Sequence, residues 1–367
     1  MYLIIGSGLS GSVIAEHIAN ILNEKVIIIE KKSHIGGMCY DYIDKETGIL
    51  ISKYGAHPFH TNYDEVWNYI NKFCQWKHWE HKVLAEIDHK IVPIPVNITT
   101  VNEIFNLHID SEEEMNEWLD KNQEKYDKIE NSEQMAKSRI GGVLYEKLVK
   151  HFTFKQWRKY PEELDKSVLE RVPIKNNFDN RYFKDKYQAL PVKGYTYFIS
   201  KLLENDNIQV LLETDFLKFS KENDLSQFKK IIFTGPIDSY FNNLEKLEYL
   251  SINFKMRKYY NMNYYQQNSV INFPDKNNLY TRTVEYKHFL NQLSRHTVVV
   301  SETFTDEGEK FYPIPDKRNL ELYEKYKKLG ENEENVYFIG MLANYKYINM
   351  DEAIKNAINF FNNVLVH

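Results

Sequence analysis

The sequence predicts an α/β protein in which a Rossmann-type nucleotide-binding domain carries an inserted helical domain and an antiparallel β-sheet domain. Three observations predict it. The chain opens on Tyr2-Leu3-Ile4-Ile5-Gly6-Ser7-Gly8-Leu9-Ser10-Gly11, runs through a helix-length stretch to residue 22, and reaches a second apolar run, Val26-Ile27-Ile28-Ile29, that ends in Glu30. Residues 99–148 are charged and amphipathic, with cap candidates at Asn102, Asp110-Ser111 and Asn131-Ser132. Four later stretches, 253–260, 269–273, 280–285 and 296–303, carry the alternating or β-branched patterns of strands.

The opening βαβ unit has a physical reason at each position. Gly6 permits the tight turn out of the strand, Gly8 lets a pyrophosphate approach the backbone, and Gly11 lets the helix pack close to the sheet. The helix N-terminus offers free N–H groups to the phosphates. Glu30 stands where a carboxylate accepts hydrogen bonds from ribose hydroxyls, and an acid there disfavours a 2′-phosphate. Next come Lys31 and, after it, Ile35-Gly36-Gly37-Met38. A second glycine pair so soon after the ribose acid allows another close backbone approach to a long dinucleotide. It is more typical of flavin than of nicotinamide sites, and the cofactor expected is FAD.

Composition narrows the function classes. A formal charge of −5 over 367 residues, with Lys and Arg dispersed among acids, gives no electrostatic case for nucleic acid. No run approaches a membrane span, and the chain enters a strand at once, so neither a membrane partner nor a signal peptide is expected. Cys39 and Cys74 have no metal-ligand spacing and read as reduced thiols of a cytoplasmic protein. The 27 Tyr and 21 Phe are unusual. Tyrosines can line a polar pocket, but composition locates no site.

Further along, His57 and His60, among Gly55 and Pro58, suit a loop beside a pocket or a pair of surface imidazoles. No Cys or carboxylate spacing around them supports a metal site. Residues 64–73 read as a helix, and 82–95 as a strand pair turning near Asp88-His89. Between 152 and 183 aromatic and basic residues interleave without a helical or strand period. Residues 208–212 and 230–236 return to strand patterns, 319–329 is helical, and Val336-Tyr337-Phe338-Ile339-Gly340 is a buried-type strand before a C-terminal helix beginning near Asn349-Met350. Strand, glycine, then helix again places an N-terminus where a flavin ring or phosphate can lie. The expected division is a discontinuous FAD-binding domain (1–80, 184–238 and 332–367), a helical domain (98–150), and an antiparallel-sheet substrate domain (81–97, 151–183 and 239–331).

Taken together, Gly6-Ser7-Gly8-Leu9-Ser10-Gly11, His34-Ile35-Gly36-Gly37, Phe59-His60-Thr61-Asn62, Lys155-Gln156-Trp157, 179–183, Tyr187-Gln188, Lys193-Gly194-Tyr195-Thr196, Tyr280-Thr281-Arg282 and Tyr345-Lys346-Tyr347 resemble the UDP-galactopyranose mutase family nearly end to end. The resemblance implies a flavin-dependent isomerase, active when its FAD is reduced, that interconverts UDP-galactopyranose and UDP-galactofuranose through a flavin N5–sugar adduct without net redox, for cell-surface polysaccharide biosynthesis. It implies Arg171, Arg282 and His60 as catalytic residues, the two arginines clamping the diphosphate. Cofactor contacts are expected at the glycines and acid above and at Lys31, His57, Gly340, Asn349 and Met350. Substrate contacts are expected at Phe152, Trp157, Tyr182, Tyr312 and Tyr347, with Phe152 in the place of a tyrosine that stacks on uracil. An external electron donor and a homodimer are also implied. The pattern departs at Met341, where the family has arginine, and at Met38, Ala56, Pro58 and Asn349. A mutase for a dTDP-linked 6-deoxysugar, a flavin-dependent oxidoreductase and an inactive sugar-nucleotide binding protein remain alternatives.

Overall fold

The apolar runs at the start of the chain become central strands because both of their faces are covered. In the computed structural model, which describes residues 1–170 and 172–366, five strands form one parallel sheet in the order Ile208–Leu211, Val26–Ile29, Tyr2–Ile5, Ile231–Phe233 and Val336–Phe338. Leu3 pairs with Ile27 on one side and Ile231 on the other. Helices Leu9–Ile21, Tyr195–Leu202 and Met350–Phe360 cover one face. Ile4, Val13, Ile14, Ile28, Phe198 and Ile354 form its core.

A second sheet has seven strands in the order Tyr312–Pro313, Tyr249–Tyr259, Thr297–Thr305, Arg282–Glu285, Val270–Asn272, Val83–Ile87 and Lys90–Ile94. The sequence predicts an antiparallel sheet here, and one pair departs from that. Val270–Asn272 runs parallel to Val83–Ile87, because the latter hairpin arrives from the first half of the chain. Its turn uses Asp88 and His89 at φ +49° and +63°, the left-handed pair that a tight hairpin needs.

Helices Ile98–Phe105, Glu112–Asn122 and Ser132–Leu144 follow. Ser111 and Asn131 cap the second and third, as predicted. Asn102 does not cap the first. Asn97 does, accepting from Thr100 N–H at 3.0 Å, while Asn102 lies inside the helix and bridges the N–H and carbonyl of Ile109. The stretch read as aperiodic contains a helix, His151–Trp157, which continues a wider-wound turn at Tyr145–Lys150. Its apolar groups face two surfaces at once, so no single stripe shows in the sequence. His60, placed in a loop from sequence, is on the Phe59–Thr61 strand of a three-stranded sheet with Tyr187–Pro191 and Trp76–His78. Among the described residues no helix is long and apolar enough to cross a membrane.

Candidate functional site

A cavity of about 930 Å³ opens where the carboxyl ends of the parallel strands meet the inserted helices and the seven-stranded sheet. Open α/β sheets bind ligands at this edge. Gly6, Glu30, Thr234 and Gly340, each just past a parallel strand, line its near end.

The cradle excludes side chains. A Cβ on Gly6, which sits at φ +107°, would lie 2.2 Å from Thr234 Oγ1, and one on Gly11 would lie 2.1 Å from the Gly6 carbonyl oxygen. Gly37 faces Gly8 so closely that a Cβ would be 3.0 Å from the Gly8 Cα. Gly8 and Gly37 line the wall, and Gly11 and Gly36 support it from behind. Gly36 N–H donates to the Ser7 carbonyl at 3.0 Å. Among the described residues no side chain caps the Leu9–Ile21 helix, so its first N–H groups stay available to an anion.

Glu30 is held in place by Ser7 N–H and Oγ–H on Oε2, at 3.0 and 2.9 Å, and by Lys32 N–H on Oε1 at 3.0 Å. Oε1, with a single donor, keeps a further lone pair for a hydroxyl. Lys31 lines the wall, whereas the Lys32 ammonium is taken by Glu309 at 2.5 Å. At the other chain end Gly340, at φ +113°, packs on Ser10, and Asn344 Oδ1 accepts its N–H at 3.0 Å. Asn349 and Met350 line the cavity, with Asn349 N–H donating to Glu352 at 2.9 Å. A tight glycine wall, an uncapped helix and a fixed acid fit the two phosphates and a ribose of a dinucleotide.

The far wall holds the predicted substrate residues. Phe152, Trp157, Tyr182, Arg282, Tyr312 and Tyr347 all line it. Arg171 lies outside the described residues. Arg282 Nε donates to Glu302 Oε2 at 2.6 Å, and this fully buried carboxylate holds the guanidinium pKa up against burial. The Tyr312 and Tyr347 rings are 5.6 Å apart. Burial, then Tyr347, raises the Tyr312 phenol pKa and keeps it a donor. Tyr182 N–H donates to the His81 carbonyl at 2.7 Å, beside an isolated bridge between Lys82 and Arg181.

Both predicted histidines reach the cavity. Tyr195 O–H donates to the His57 carbonyl, and the His57 imidazole is pushed down to about 4 by burial and then by Arg282. His60 stacks on Phe183, with centroids 3.7 Å apart, and its Nδ1 lies 3.1 Å from Asp185 Oδ2. Sequence reasoning missed His81, Asn272 and Thr281 on the same wall. His81 is buried, its Nδ1 has no partner among the described residues, and burial with Arg282 pushes it down to about 3. Alternation along residues 280–285 could have flagged Thr281, but no local signal marks His81.

Residues 147–347 match the UDP-galactopyranose mutase family model, and residues 4–73 match an NAD(P)-binding Rossmann-like domain. A probable UDP-galactopyranose mutase of Klebsiella pneumoniae is 33% identical over 371 residues, spanning 99% of this chain and 95% of that protein. An Escherichia coli dTDP-fucopyranose mutase is 33% identical across 97% of this chain and 96% of its own length. The crystal structure of a reduced UDP-galactopyranose mutase superposes with a TM-score of 0.81 at 15% identity, over 100% of this chain and 95% of that one. A putative protoporphyrinogen oxidase shares the fold at a TM-score of 0.68 and 13% identity, over 100% of this chain and 98% of that one. With a family model across more than half its length and full-length relatives at one-third identity, the chain belongs to the UDP-galactopyranose mutase family.

Proposed function

We propose that this protein is an FAD-dependent mutase that interconverts UDP-galactopyranose and UDP-galactofuranose without net oxidation. The observation that carries the proposal is one cavity in which a dinucleotide cradle faces Arg282 and paired tyrosines. Reduced FAD supplies an electron-rich N5 nitrogen that is nucleophilic toward an anomeric carbon and is regenerated at the end of the cycle.

The chain's own groups do the rest. Arg282, oriented by Glu302, balances the charge that builds on the departing diphosphate and steadies it for return. Arg171 is proposed as its partner from the sequence motif. Tyr182, Tyr312 and Tyr347 donate phenolic hydrogens to the phosphate oxygens, Phe152 stacks on the pyrimidine, and Trp157 closes the apolar side of the sugar pocket. His57, kept neutral by burial and by Arg282, places no second charge beside the guanidinium and is proposed to lie against the flavin from its loop. His60 is proposed to orient the adjoining wall through Asp185. Electrons come from an external donor, and the working form is a cytoplasmic homodimer.

A second reading, a dTDP-linked 6-deoxysugar as substrate, is supported by the dTDP-fucopyranose mutase relative at 33% identity, and Phe152, which can stack on either pyrimidine, is compatible with both. The test is product formed per reducing equivalent, anaerobically, with UDP-galactose and dTDP-fucose offered separately. Many turnovers per equivalent from dithionite-reduced protein, and none from oxidised protein, support a mutase and name its sugar. One product per equivalent makes it an oxidoreductase, and no product from any sugar nucleotide leaves a binding protein.

A further inference from the structure

Phe152, Thr153, Gln156 and Trp157 line the cavity from the His151–Trp157 helix, but Lys155 of the same helix does not. Its ammonium donates to the Phe273 carbonyl at 2.6 Å and to the Tyr280 carbonyl at 3.1 Å. Those carbonyls mark the two ends of the loop between the Val270–Asn272 and Arg282–Glu285 strands, which Phe273 N–H closes by donating to the Thr281 carbonyl at 2.9 Å. Pro274 and Thr281, next to the two carbonyls, line the cavity, and Arg282 follows directly. Among the described residues no carboxylate forms an ion pair with Lys155. A partly buried ammonium is therefore satisfied by backbone alone, at the seam between the nucleoside-facing helix and the strand that bears the diphosphate-facing arginine.

We propose that Lys155 is a positioning residue that sets the spacing between the Phe152-bearing helix and Arg282, so that one nucleoside diphosphate reaches both. The proposal rests on the functional reading above. It needs no contact between Lys155 and the ligand, and it makes the tether sensitive to pH. Burial pushes the Lys155 ammonium down to about 8, and Asp275, the charged group that acts on it among the described residues, works in the opposite direction. An ammonium binds carbonyls more strongly than the neutral amine does, so the tether weakens as pH rises through that value.

The experiment measures UDP binding to the FAD-loaded full chain at pH 7 and pH 9.5, for the wild type, Lys155→Met and Lys155→Arg. Methionine keeps the stem and removes the donors, and arginine keeps a charge that does not titrate. Relative to Lys155→Arg at the same pH, wild-type affinity should match at pH 7 and be lower on the order of tenfold at pH 9.5, and Lys155→Met should be weaker by about that factor at both. FAD content should be equal in all three. Any titration of UDP itself is common to them and cancels. A Lys155→Met protein that binds like wild type, or a Lys155→Arg profile that tracks wild type, overturns the inference and leaves the function standing. A wild type that binds no UDP at either pH overturns the functional reading and this inference with it. If Lys155→Met does not fold, the wild-type and Lys155→Arg profiles decide alone.

Discussion

Arg282 serves two partners, the buried Glu302 behind it and the cavity in front. Arg282→Ala should therefore lower UDP affinity about tenfold or more, as expected for charge-assisted bonds of roughly 1.5 to 3 kcal/mol, with FAD content unchanged. It should also lower stability by about 3 kcal/mol or more, because Glu302 is left buried and unpaired. Adding Glu302→Gln should recover much of the stability and none of the binding. Urea midpoints of the single and double variants check this, and equal midpoints would mean that the pair does not carry the cost. His57 and His81 give a second prediction. Burial depresses both imidazoles, so the unfolded chain takes up protons first as pH falls below about 6.5. Stability is then lost progressively until the folded groups titrate, near 4 for His57 and near 3 for His81, at up to about 1.4 kcal/mol per pH unit for each. Denaturant unfolding at pH 7, 5.5 and 4.5 should show this slope, and His81→Gln should flatten it. Tyr182, Tyr347 and Arg282 were legible as cavity-lining residues because they lie in ordered motifs. His81 and Glu302 were not, since each matters only through a neighbour brought up by strand pairing.

At the scale of elements, the Tyr195–Leu202 helix is started by a residue far away in sequence. Asp41 accepts Tyr195 N–H at 2.6 Å and Thr196 N–H at 2.9 Å, doing what a local cap would do. Gly194, at φ +87°, gives it room, since a Cβ there would stand 2.6 Å from Asp41 Oδ2. Gly194→Ala should cost about 1 to 3 kcal/mol from strain and a displaced cap, read as a lower unfolding midpoint. An unchanged midpoint would show that the loop relaxes freely. The first βαβ unit and the Asp88-His89 hairpin were readable because their signals are local. The Asn97 cap was missed because Asn102 offered a similar residue a few positions on, and only the structure shows that Asn97 also donates to Asn180 Oδ1 at 2.6 Å, which ties the helix to the segment before Tyr182. The His151–Trp157 helix was unreadable for a related reason. Its faces serve a cavity and a loop, so its pattern is neither apolar stripe nor alternation.

For the whole molecule, the parallel sheet takes strands from the beginning, the middle and the end of the chain. The Met350–Phe360 helix packs on the Leu9–Ile21 helix, and Asn349 and Met350 reach the cofactor end of the cavity. Truncation before residue 349 should abolish FAD uptake along with cooperative unfolding, as followed by flavin absorbance and thermal melting. In the intact protein, FAD at about 100 times its dissociation constant should add about 2.7 kcal/mol of stability, and a missing shift would remove the cofactor assignment. That the chain returns to its first sheet was legible from the Val336–Phe338 run and the glycine after it. The parallel pair in the larger sheet was not, because nothing local to Val83–Ile87 names its partner. The cavity also draws its walls from separate parts of the chain: Ala136, Ile140, Leu148 and Phe152 come from the helical stretch, while the glycine cradle and Arg282 come from the two sheets. If the proposed function holds, substitutions confined to that helical segment should retune which nucleoside is accepted and leave the groups around the cofactor cradle untouched, so that recognition and chemistry can be altered separately.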